Sequence, residues 1–390
     1  MQLIEVTNAA TAAGFIKVNV LMNATNPSYI QPLDNEVNDV FDPGKNKHYK
    51  YGETIRWILK DEGGRLIGRI SAYTHSKYVN KGTDYNTGCI GFFDCINNQE
   101  AANILFDAAK NWLVSKSMEA MDGPINFGDR DKWWGLMVEG FEEEPIYGMS
   151  FNPPYYETLL ERYGFKNYYN QYYYAKEVEE PLSEKFTERY EKFSSKPGYA
   201  ARHIKIKNLE NHAKEFATVY NAAWAQHGEA KELSEEQVLK LFKKMKPVID
   251  ERMVWFAYYK ENPIAMFINI PDLNQYFKHF NGKFGLLQKL YFLWLKKTGA
   301  CKKATGMAFG VVPKYQALGI DSYLIKAAAL TVQGKGWYDS YEMGWAGDWN
   351  PKMVNIYKSL GTQSRRMVTY RYIFDTDKHP FERHPIMEYH

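Results

Sequence analysis

Gln316-Ala317-Leu318-Gly319-Ile320-Asp321 joins a strand-like run, 306–312, to a helix-like run that continues to about Val332. A strand that turns through a glycine straight into a helix leaves the first N–H groups of that helix without intrahelical acceptors, and the positive end of the helix dipole points the same way. The stretch therefore reads as an anion-binding turn, with phosphate a fitting occupant. Downstream, Asn350-Pro351 opens another helix, Tyr357 follows seven positions after Asn350, and Gly361 closes it.

Working outward, the chain shows the same order of elements twice. Ile55, Trp57 and Leu59 share one face of a strand, Asp61-Glu62-Gly63-Gly64 turns, and 66–73 returns; some 200 positions later Met253, Trp255, Ala257 and Tyr259 alternate, Glu261-Asn262-Pro263 turns, and Ile264, Met266, Ile268 and Ile270 return. Each hairpin is followed by a strand feeding a helix with one apolar stripe: Ala102, Leu105, Phe106, Ala109 and Leu113 in the first, Ile320, Tyr323, Leu324, Ala327 and Ala328 in the second. Each half then has an Asn-Pro helix start and a glycine stop, Asn152-Pro153 to Gly164 and Asn350-Pro351 to Gly361, and an aromatic strand after it. A duplicated domain is the simplest reading: 1–178, a charged linker at 179–198 punctuated by Pro181 and Pro197 with a short helix after Ser183, and 199–390. The second half carries an aromatic insertion at 276–297, rich in lysine, which suits either a packed lid or a helix lying at a membrane surface or over a long acyl chain.

A chain of 390 residues exceeds one ordinary core and suits two domains. A net charge of +3 gives no concentrated basic footprint, so nucleic acid is not an expected partner. Cys89, Cys95 and Cys301 lack CxxC spacing, and the first two lie too far apart along one strand to bridge, which fits a reducing, cytoplasmic setting. The start MQLIEVTNAATAAGF does not read as a secretory signal and no apolar run reaches the length of a membrane span, so neither is expected. His379, His384 and His390 have no companion ligand spacing, so no metal site is expected.

On the motif VVPKYQALGIDSYLIKAA and the Asn350, Tyr357, Gly361 spacing, the second half resembles the GNAT superfamily of acyl-CoA-dependent N-acetyltransferases. The resemblance implies two tandem GNAT-like domains of the α/β (α+β) class, each a mixed, mostly antiparallel sheet flanked by helices. Gln316 and Gly319 match the family's pyrophosphate loop, whereas Asp321 stands where a small residue is usual. At roughly 5 Å and an effective dielectric of about 20, each carboxylate–phosphate charge pair would repel by about 3 kcal/mol before screening. Either Asp321 weakens CoA binding, or it turns aside and satisfies helix N–H groups. In the first half, Asn97-Asn98-Gln99-Glu100 lacks the loop glycine, and Leu159 or Leu160 takes the tyrosine position, which implies a copy without a cofactor site.

The resemblance further implies acetyl-CoA or another acyl-CoA as cosubstrate and a small-molecule amine as acceptor. Cofactor contacts would come from Val311 and Val312 through their main chain, the loop Gln316, Ala317, Leu318, Gly319, Ile320, Asp321 and Ser322, and Asn350. Tyr357 is the expected acid for the departing thiolate: a phenol near 10 and a thiol near 8.5 differ by about 2 kcal/mol, so the proton can move. Glu342 is a candidate base or a structural carboxylate. Trp224, His227, Asp272 and Asn274 are candidate acceptor contacts, the last two alternatively turn formers. Two further readings stay open: a non-catalytic protein that kept the fold, and a FemABX-like aminoacyltransferase.

Overall fold

The computed structural model describes residues 1–78, 85–224 and 232–387. In the first half, β1 (Gln2–Glu5), α1 (Ala9–Asn23) and α2 (Asp34–Val40) precede the hairpin β2 (Gly52–Lys60) and β3 (Leu66–His75). Then come β4 (Thr87–Cys95), α3 (Gln99–Ser115), β5 (Ala120–Gly123), β6 (Leu136–Glu139), α4 (Tyr156–Tyr163) and β7 (Lys166–Glu177). After α5 (Glu184–Ser194) the second half runs β8 (Tyr199–His203), α6 (Leu209–Trp224), α7 (Glu235–Met245), β9 (Val254–Tyr259), β10 (Asn262–Pro271), α8 (Asn274–Phe277) and α9 (Leu286–Thr298). It closes with β11 (Lys303–Val311), α10 (Ile320–Val332), β12 (Ser340–Gly347), α11 (Pro351–Leu360) and β13 (Thr362–Ile373).

All the named strands form one sheet in the order β1-β2-β3-β4-β5-β13-β7-β12-β11-β10-β9-β8, with β6 on β13. Among the described residues, only β4–β5 and β11–β12 pair in parallel; the other ladders are antiparallel. The last strand of each half crosses over: β7 pairs with β12 of the second half, and β13 pairs with β5 of the first. The two halves share a sheet that neither completes alone.

The expected apolar stripes make the core. Ala102, Leu105, Phe106, Ala109 and Leu113 of α3 are fully buried against β3 and β4, and Ile320, Tyr323, Leu324, Ala327 and Ala328 of α10 cover β9 and β10. Each large side chain buried this way contributes about 1.5–3 kcal/mol. The stretch read as a linker carries α5, which is no spacer: Phe186 and Phe193 are buried, and Phe193 packs on Tyr323 of α10 at 5.6 Å between ring centroids. The two Asn-Pro starts also diverge. Asn350 caps α11, its Oδ1 accepting from the Met353 N–H at 3.1 Å, whereas Asn152 is tied to the main chain of Met137 in β6 and α4 starts later, at Tyr156.

Candidate active site

The geometry follows from where β11 and β12 stop pairing. Their parallel ladder joins Lys303 to Ser340, Ala304 to Tyr341 and Thr305 to Glu342, and then ends. A bulge in β11 between the partners of Ile268 and Asn269 helps turn the strands apart. Beyond it Met307 is exposed and Ala308 and Phe309 are half-exposed, although β11 is an interior strand. Past Thr305 and Glu342 the two strands no longer pair, and the space flanked by the unpaired C-terminal ends of β11 and β12 is the groove referred to below.

At the mouth of this groove lies the turn into α10. Ala317 and Gly319 adopt left-handed φ values of 59° and 93°, and Gly319 takes the N-cap position without a side-chain cap. Tyr315 and Gln316 spend their amides on Val312 and Pro313, and the Tyr323 amide returns to Gly319. Among the described residues, no acceptor meets full hydrogen-bond distance and angle at the six amides from Ala317 to Ser322, although the chain turns back on itself at 316–319, and no side chain, Asp321 included, bonds to them. Asp321 sits in the first turn of α10, where a carboxylate favours the helix dipole. Such a run of open N–H groups at a helix start suits a diphosphate.

Arg189 of α5 supplies a charge that the sequence did not reveal. A Cβ on Gly319 would lie 2.6 Å from its Cδ and 3.0 Å from its Nε, so the arginine stem is laid against the glycine. Among the described residues its guanidinium has no ion-pair partner. Gln316 has a different task from the one expected, its side-chain amide donating to the Val311 carbonyl at 3.0 Å and stapling the turn to the strand end. The Val312 N–H is taken by Ile264 of β10 at 2.9 Å, which leaves Val311, one residue earlier, directed to the other side of the strand. Asn350 is occupied as the cap of α11.

Tyr357 projects from α11, its ring 6.0 Å from that of Tyr174. Burial pushes its phenol above the usual value, and among the described residues its hydroxyl makes no hydrogen bond. It lies within electrostatic reach of Tyr341, whose own hydroxyl donates to Asn269 Oδ1 at 2.8 Å. This half-exposed phenol is held protonated, and the upward shift widens its gap to a thiol beyond the 2 kcal/mol expected from unshifted values, so proton transfer to a thiolate is harder than the sequence suggested.

Glu342 does not have the freedom a base needs. Burial alone would raise its carboxyl, but Arg365 and Lys303 outweigh that and hold it below the usual range. Arg365 grips it with Nε at 2.7 Å and Nη2 at 3.0 Å, and Lys303 Nζ lies at 2.7 Å. The first half repeats the arrangement at the end of its own parallel ladder, where Asp122 is gripped by Arg371 through two 2.7 Å bonds. Both arginines come from β13. A carboxylate–arginine pair present at both forks belongs to the fold.

Asp272 and Asn274 are also placed away from the groove. Asp272 Oδ1 accepts from the Tyr147 and Asn274 amides, and Asn274 Nδ2 donates to the Pro145 carbonyl at 2.7 Å, so both join the two halves. Burial pushes the Asp272 carboxyl up to about 6, and its Oδ2 has no partner among the described residues. Trp224 is the last residue of α6, with its side chain outside the described portion, and His227 lies outside the described residues.

Compared with solved structures, the chain superposes on a tandem GNAT protein from the clavulanic acid biosynthesis pathway with a TM-score of 0.55, covering 96% of this chain and 98% of that one at 9% identity. The chain has the tandem GNAT fold. A GCN5-related glucosamine N-acetyltransferase region of a fungal multi-domain GH3 β-N-acetylglucosaminidase gives a TM-score of 0.56 at 11% identity, covering 95% of this chain, which spans 38% of that larger protein. No family model matches the sequence. Among curated proteins, a bacterial ceramide synthase of Caulobacter vibrioides (strain NA1000 / CB15N) is 25% identical over 365 residues, 93% of this chain and 94% of that protein. Protein YghO of Escherichia coli (strain K12) is 23% identical over 342 residues, 86% of each. In this tandem GNAT fold the open turn and the groove belong to the second copy. At the matching place in the first copy, Asn98 caps α3 by accepting from the Ala101 amide at 2.8 Å, and Leu160 is buried in the core.

Proposed function

We propose that this protein is an acyl-CoA-dependent N-acyltransferase whose second half carries the site, and that its acceptor is the primary amine of a long-chain amino alcohol of the kind found in ceramides. The observation that carries the reading is the run of six open amides, Ala317 to Ser322, at the mouth of the β11–β12 groove. The relationship to a bacterial ceramide synthase along 93% of the chain supports the choice of acceptor and a long acyl chain rather than acetyl.

A bound acyl-CoA would supply the activated thioester. The amides of the turn and Arg189 would hold its diphosphate, replacing hydration with fixed dipoles and one cation. The Val311 main chain on the groove side would orient the pantetheine arm. The ammonium would lose one proton to solvent before attack; as the nitrogen bonds to the acyl carbon and the carbon–sulfur bond breaks, Tyr357 would give its proton to the departing sulfur, and the second nitrogen proton would return to Tyr357 through solvent. The half-exposed Phe309, which packs on Phe267 at 5.6 Å between ring centroids, offers apolar surface for the acyl chain on one face of β11, and Ala308 lies on the other face against the α6–α7 cluster.

The test is to incubate the protein with palmitoyl-CoA or acetyl-CoA and either sphinganine or short polar amines, following free thiol and N-acyl product by mass spectrometry. Release of CoA together with N-palmitoyl sphinganine is expected. No thiol release with any pair would favour a fold that has lost its chemistry, and turnover restricted to acetyl-CoA with polar amines would overturn the lipid acceptor.

A further inference from the structure

Helix α9, with the sequence LLQKLYFLWLKKT, buries only a narrow underside. Phe292 and Leu295 pack with Leu273, Tyr276, Phe277 and Phe280 in a cluster that also takes in Leu33 from the first half. The opposite face carries Leu286, Leu287, Leu290, Tyr291, Leu293 and Trp294, all exposed, with Leu286 at 75% and Leu287 at 76%. At about 100° per residue these six sweep an arc of about 160° away from Phe292 and Leu295. Soluble surfaces rarely leave a contiguous apolar patch of this kind uncovered.

The charge around it has one sign. From Leu273 to Ile320 the chain contains no Asp or Glu, yet it holds Lys278, Lys283, Lys289, Lys296, Lys297, Lys302, Lys303 and Lys314. Lys278, Lys283 and Lys303 are neutralised by Glu144, Asp34 and Glu342. On α9 itself, Lys289 and Lys297 have no acidic partner among the described residues, and Lys296 has only the Asp250 carboxylate beyond ion-pair distance. Lys296 Nζ bonds the Pro247 carbonyl, which brings the end of α7 alongside with Lys243, Lys244 and Lys246 all exposed.

We infer that the outer face of α9 is a docking surface for an anionic lipid bilayer, with the helix lying in the interface, its leucines in the acyl boundary and its lysines among phosphate headgroups. Trp294 and Tyr291, stacked with ring centroids 5.6 Å apart, are the residue types that settle at headgroup level. A second copy is a poor occupant: a two-fold contact through this face would set uncompensated lysines against their own copies. The inference stands on α9 and its lysines and does not depend on the acyl-transfer reading, although a lipid surface is where a long-chain amine and a fatty acyl group would be met.

Vesicle cosedimentation of the full chain tests it with a readout independent of turnover. Vesicles of phosphatidylcholine with about 30% phosphatidylglycerol should retain the protein about tenfold more strongly than phosphatidylcholine alone, and binding should weaken steeply between about 50 and 500 mM salt. The surface variants Leu287→Glu with Leu290→Glu, and Lys289→Glu with Lys297→Glu, should each reduce retention about tenfold at unchanged melting temperature. Absence of binding to anionic vesicles at low salt, or binding that neither variant alters, overturns the proposal. So does a dimer in sedimentation velocity that the leucine variant dissolves, since the face would then belong to a second copy.

Discussion

Helices α3 and α10 occupy the same place in the two copies of the fold, each following a strand of a parallel pair, and they begin in opposite ways. At α3, Asn98 accepts from the Ala101 N–H and fills the helix start with its own side chain. At α10, Gly319 offers no side chain, takes a φ of 93°, and leaves six amides from Ala317 to Ser322 open. The forks beneath them are alike, Asp122 with Arg371 in one and Glu342 with Arg365 in the other. The comparison separates what the fold needs from what the chemistry needs: the buried ion pair is kept in both copies, whereas the uncapped turn and the free tyrosine appear in one.

The largest expected effect closes the open turn. Gly319→Val forces a β-branched residue into a left-handed conformation and drives a side chain against Arg189, so CoA affinity should fall about 100-fold or more, measured by titration calorimetry. Tyr357→Phe should lower kcat about 100-fold while leaving CoA affinity within a factor of about two, because only a proton donor is removed. Arg189→Ala should weaken CoA binding about tenfold and flatten its salt dependence, a split that loss of packing alone would not give. The smallest effect tests the other helix: Asn98→Ala should cost about 1 kcal/mol of stability by denaturant melting and change neither CoA affinity nor turnover. An effect of Asn98→Ala on CoA binding would erase the contrast between the copies.

Much of this contrast was legible in the sequence, because it is written over short separations. The turn 316–321, the spacing from Asn350 to Gly361 and the apolar stripes of both helices depend on neighbours a few residues apart. Gly361 was read as a helix stop; its φ of −162° is ordinary extended backbone, and glycine is needed because a Cβ would meet the Ala175 carbonyl oxygen at 2.3 Å. What was not legible depends on register and on distant elements. Arg189 lay in a stretch read as a linker, and its approach to Gly319 follows from how Phe186 and Phe193 seat α5. The roles of Glu342 and Asp272 are set by β13 and by segment 144–147, and no local pattern reports either partner. The crossing of β7 and β13 escaped for a related reason: both are twelve-residue strands with long buried runs, and such a run does not say on which side of the seam its strand lies.

The central claim, that the turn into α10 is a diphosphate site, is tested most directly by a crystal structure of the protein with CoA. The diphosphate should lie within hydrogen-bond reach of the amides between Ala317 and Ser322, with the Arg189 guanidinium turned toward it and the sulfur near the Tyr357 hydroxyl. CoA seated elsewhere, or those amides still unoccupied at saturating CoA, would contradict it.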